Sequence, residues 1–112
     1  MSRDYRLFLE DISNSCQKIL LYTQGLSYGD FIQGEIVYDA VLRNLEIIGE
    51  AAKNIPEDVR QGNSQVEWRK IAGLRDIVIH QYFGIYDEII WDAVKNQIPK
   101  LLEQVRDILD RG

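Results

Sequence analysis

The chain is poor in the residues from which most reactive centres are built. Its 112 residues include one histidine, His80, and one cysteine, Cys16. A single cysteine allows no internal disulfide, which argues against a crosslinked secreted scaffold. With so few nitrogen and sulfur ligands, and no Glu-x-x-His on any helix, a metal centre is not expected. No cofactor is expected either: a glycine-rich phosphate loop would have to follow a strand, and no segment alternates in the manner of a strand. There is no excess of positive charge. The net charge is -5, which argues against a general nucleic-acid binder but leaves room for a local basic patch. Long hydrophobic runs are absent. Charges interrupt every apolar stretch of "MSRDYRLFLEDIS", so neither a signal peptide nor a membrane anchor is expected there. The simplest expectation is a soluble, cytoplasmic, single domain over residues 1–112, with no repeat or low-complexity tract.

What is present is helical periodicity. Tyr5, Phe8, Ile12, Cys16, Ile19 and Thr23 recur at steps of three and four, one face of a helix for which Ser2 is a candidate N-cap. Cys16 falls on that apolar stripe, where a buried structural thiol is expected. A second helix is expected from about residue 30 to residue 54. Val37, Val41, Leu45, Ile48, Ala52 and Ile55 form one stripe, and Ile36, Ala40, Ile47 and Ala51 form another beside it. So broad an apolar surface implies burial on two sides, at a bundle centre or a dimer seam. Pro56 should end this helix. Ser64 and Glu67 have capping-box spacing for a third helix ending near Gly84. A fourth should run from about Asp87 to Asp110, kinked at Pro99, which has no N–H to offer the carbonyl of Lys95. The expected fold is all-α: a four-helix up-and-down bundle with a short extra helical turn.

The stretch "RDIVIHQY", residues 75–82, carries the chemistry. At about 100° per residue, Arg75 and His80 lie roughly 140° apart around a helix and do not share a face. Asp76 and His80 do, so Asp76 can accept a hydrogen bond from one imidazole nitrogen and set which nitrogen is left for chemistry. An imidazole beside a guanidinium suits phosphodiester cleavage without a metal. The first moves protons near neutral pH, and the second holds phosphate oxygens. The competing reading is a histidine that simply caps a helix C-terminus. Trp68, Arg69 and Lys70 form a small basic and aromatic patch one turn earlier, which could touch RNA or be a solvated face.

Several motifs in order resemble a known family. "AVLRNLEIIGEAAKNIP" (residues 40–56) is followed by a tryptophan, then "KIAGLRDIVIHQYFGIY" and "VKNQIPKLL". The chain thereby resembles the HepT-like branch of the HEPN superfamily, toxins paired with a minimal nucleotidyltransferase antitoxin. The resemblance implies a helical homodimer and a metal-independent endoribonuclease of single-stranded RNA, with its site in the cleft between subunits. It assigns Arg75 and His80 to catalysis and Asp76 to the polar position after the arginine, often asparagine in the family. It makes Tyr82 the tyrosine that the antitoxin modifies with AMP. In a symmetric dimer the 140° offset matters less, because two copies of the motif line one cleft. The alternative is a non-catalytic nucleotide- or partner-binding bundle working with a nucleotidyltransferase.

Overall fold

The computed structural model describes residues 4–80 and 84–111, and every regular element among them is helical. The first helix, α1, spans Tyr5–Thr23. Asp4 caps it, its carboxylate accepting from the Arg6 backbone N–H at 2.9 Å; Ser2 lies outside the described residues. Of the expected stripe, Ile12, Cys16 and Ile19 are wholly inaccessible and Thr23 is buried, while Tyr5 and Phe8 are only partly buried; Leu9 joins the core instead. Thr23 satisfies its buried hydroxyl by donating to the Ile19 carbonyl.

The second segment is two helices rather than one. Ser27 and Asp30 close a reciprocal capping box that starts α2, Tyr28–Gln33. Gly34 then leaves helical geometry, and α3 runs from Glu35 to Lys53. The periodicity continues through the break, which is why spacing alone joins the two. Val41, Leu45, Ile48 and Ala52 of α3 are buried, each Leu or Ile contributing about 1.5–3 kcal/mol on leaving water. The second stripe behaves differently. Ala51 is buried and Ile47 partly so, but Ile36 is 86% exposed. Asn54 ends α3 two residues before Pro56, and a short helix, α4, spans Glu57–Gln61.

The third segment also differs from its expected form. Ser64 lies in a turn and no capping box forms. Helix α5, Trp68–Ala72, has Glu67 as a cap without a side-chain bond. Trp68 is buried and its indole N–H donates to the Asn63 carbonyl at 3.0 Å. Its ring is thus a core anchor, not a platform for RNA. Gly73 separates α5 from α6, Leu74–Ile79, which ends on His80 rather than near Gly84.

The last segment comprises α7, Asp87–Asp92, a π-helical turn over Ala93–Gln97, and α8, Ile98–Arg111. The disturbance expected at Pro99 is expressed one turn earlier as the π-helical widening, whose altered bonding accommodates a position that cannot donate. Helix α1 packs on α3 and α8, while α3 packs on α5 and α6. The bundle is thus all-α, with α1, α3, the α5–α6 pair and the α7–α8 pair as its main helical segments. No helix of the described residues is long and apolar enough to cross a membrane.

Candidate active site around Arg75 and His80

A glycine sets the position of Arg75. A Cβ built on Gly49 would stand 2.7 Å from the Arg75 backbone nitrogen, 2.8 Å from its Cβ and 3.1 Å from the Ala72 carbonyl oxygen. Only a residue without a side chain lets α6 approach α3 this closely. The adjoining Glu50 then meets the arginine, with Arg75 Nε 3.0 Å from Glu50 Oε2. Both side chains are partly exposed. The pair lies along a cleft of about 290 Å³, whose lining includes Phe8, Asp11, Arg43, Ile47, Glu50 and Arg75. Arg43 is itself matched by Glu46, at 3.5 Å. The cleft therefore offers two arginines against an apolar floor, with carboxylates that offset much of their charge.

His80 is held separately. It is the residue that ends α6, where the helix dipole favours an imidazole. The Asp76 carbonyl oxygen accepts twice from it, from the backbone N–H at 3.0 Å and from Nδ1 at 2.8 Å. A carbonyl can only accept, so Nδ1 carries a proton. In the neutral ring the lone pair is then on Nε2. Asp76 does grip the imidazole, but with its main chain; the side chain is exposed. The carboxylate role expected from the four-residue spacing is thus taken by the carbonyl, which the spacing aligns equally well.

Among the described residues, no hydrogen bond or ion pair joins Arg75 to His80. The structure gives them different partners: Glu50 of α3 for Arg75, and a carbonyl of α6 itself for His80. Tyr82 lies outside the described residues. Just beyond, Gly84 takes a left-handed φ of 73°, and Tyr38 of α3 donates its hydroxyl to Asp87. These contacts return the chain to the start of α3. Among the described residues, no three His, Cys, Asp or Glu side chains are grouped to hold a metal ion. The contact of Glu50 with Arg75 spans 25 positions of sequence and follows no local spacing rule. Its only sequence signal is that it adjoins a glycine inside a helix with an apolar stripe.

Fold and site together define a class: a small helical bundle that presents an arginine and a histidine from one short segment. Within that class, the chain belongs to the HepT-like family of the HEPN superfamily, whose model, described as "Ribonuclease HepT-like", matches residues 12–108. A Caldanaerobacter subterraneus subsp. tengcongensis protein named "Putative RNase TTE0752" is 42% identical over 106 residues, covering 95% of each chain. "Probable ribonuclease HepT" of Thermococcus cleftensis is 41% identical, over 90% of this chain and 92% of its own. "Putative RNase MJ0127" of Methanocaldococcus jannaschii is 42% identical, over 96% of this chain and 88% of its own. No solved structure matches the chain.

Proposed function

We propose that this protein is the toxin of a type VII-like toxin–antitoxin pair, a homodimeric endoribonuclease that cleaves single-stranded RNA without a metal. The observation that carries this reading is the state of His80. Its Nδ1–H is committed to the Asp76 carbonyl, so Nε2 is the nitrogen left to take a proton from a ribose 2′-hydroxyl. The 2′-oxygen attacks the adjacent phosphorus, and the bond to the 5′-oxygen breaks. A cyclic phosphate and a 5′-hydroxyl result. The departing oxygen needs a proton, which the imidazolium of a second His80 supplies in a symmetric dimer. Arg75 holds the phosphate oxygens as charge gathers on them. Family membership and the names of the relatives support the same chemistry.

In this reading a partner nucleotidyltransferase silences the toxin at Tyr82. The phenol oxygen attacks the α-phosphorus of a nucleoside triphosphate, its proton leaves, and pyrophosphate departs. The attached AMP brings bulk and negative charge two residues from His80, where it repels RNA.

A second reading is favoured by the offset charge of the cleft and the net charge of -5. There the bundle binds a nucleotide or partner and cleaves nothing. Incubation of an RNA pool with the protein in EDTA decides between them. Cleavage should fall on the order of 100-fold or more in His80→Ala and in Arg75→Ala, with helicity unchanged. Asp76→Asn should have a milder effect, because its carbonyl is retained. Wild-type rates in both alanine variants would reject the catalytic assignment.

A further inference from the structure

Arg75 is grasped by its inner nitrogen. The contact with Glu50 is an ion pair made at Nε, at 3.0 Å, and the Arg75 side chain has no other ion pair among the described residues. A guanidinium has five N–H donors in a rigid planar fork. With the carboxylate beside Nε, the terminal Nη groups remain to face an oxyanion. Gly49 brings the backbones together, and the next residue turns the side chain. These two neighbours on α3 therefore set where Arg75 stands and which edge it offers.

From this geometry we infer that Glu50 is a positioning residue for Arg75, one that orients the guanidinium for the scissile phosphate and moderates RNA affinity by its charge. The inference rests on the endoribonuclease reading and deepens it. Two effects of Glu50 oppose one another. Its carboxylate, 3.0 Å from Nε, draws the guanidinium toward α3 and limits the rotamers of a long, flexible side chain, so the phosphate meets a fork already aimed. Its negative charge also lies 3.0 Å from the arginine that must attract RNA, so it weakens capture. Both side chains are about a third or more exposed, 36% for Arg75 and 53% for Glu50. Such a pair adds little to folding stability, so substitutions at Glu50 should leave the bundle intact. What changes is catalysis.

The two effects separate by substitution. Glu50→Gln keeps the length and polarity of the side chain beside Nε and removes the charge. Glu50→Ala removes both. Steady-state cleavage of a short fluorescent RNA should give Glu50→Gln a kcat within about twofold of wild type and a KM lower by about two- to fivefold, the scale of one exposed charge. Glu50→Ala should lose kcat by on the order of 10- to 100-fold, the scale of a misplaced group. Affinity for a non-cleavable 2′-deoxy oligonucleotide, read by anisotropy, should also rise in Glu50→Gln. A wild-type kcat in Glu50→Ala overturns the positioning role, as does an equal kcat loss in the two variants. Unchanged affinity in Glu50→Gln overturns the moderating role. His80→Ala and Arg75→Ala serve as controls: if they cleave like wild type, the endoribonuclease reading fails and this inference falls with it. If only they are impaired, the Glu50 inference alone is lost.

Discussion

At the scale of single residues, polar side chains divide by what surrounds them. Cys16 is wholly inaccessible, and burial pushes its thiol from 9.0 up to about 12, with Arg106 lowering it only in part. The thiolate is the reactive form, so Cys16 should resist a thiol reagent at neutral pH until denaturant is added. Prompt labelling of the folded protein would contradict its place in the core. The same burial makes stability pH-dependent. The native state holds this proton more tightly than the unfolded chain, so the contribution is complete below about pH 9 and is lost as pH rises toward 12. Replacing Cys16 with alanine should flatten that alkaline decline in denaturant melts. His80 is the opposite case: it is exposed, with one nitrogen committed and the other available.

At the scale of elements, the junction of α3 with α6 is the point of least tolerance. Gly49→Ala would ordinarily help a helix by about 0.5–1 kcal/mol. Here the new methyl meets the Arg75 backbone nitrogen at 2.7 Å and Cβ at 2.8 Å. Neither atom is the loose end of a side chain, so α6 must move. Overpacking of this kind costs about 1–3 kcal/mol, which outweighs the helix gain. Gly49→Ala should therefore melt earlier, and under the proposed mechanism it should lose activity with Arg75 displaced. A variant as stable as wild type would show that α6 gives way at little cost.

At the scale of the whole molecule, single apolar side chains are left uncovered within one chain. Ile36, at the start of the second stripe of α3, is 86% exposed, and Leu21 of α1 and Ile85 before α7 are each 67% exposed. We expect a homodimer at micromolar concentration by sedimentation, with a large apolar interface. Ile36→Asp should shift it toward monomer and reduce cleavage, because two His80 side chains are then no longer supplied together. A monomeric wild type would count against the shared site. The expected partner enzyme is tested by co-expression and intact mass. Wild type should gain the mass of AMP, and Tyr82→Phe should gain none while remaining folded and toxic. An adduct that persists in Tyr82→Phe places the modification elsewhere.

The sequence by itself determined the helical class, because a stripe repeating every three to four residues has one economical solution in water. It also marked Arg75 and His80 as a candidate pair and predicted that they would not share a face. Where local signals competed, it joined what the chain divides: Val37 and Val41 continue the period past Gly34, yet the Ser27–Asp30 box closes a separate helix first. Ser64 and Glu67 had the right spacing for a cap, but the turn at residues 62–65 and the buried Trp68 delay the helix. Only the tertiary structure decided that Glu50 holds Arg75 by Nε and that a carbonyl holds His80. Spacing reports which residues share a face of one helix. It cannot report which atoms of two helices meet, because that depends on how closely their backbones approach, and here a single glycine sets that distance.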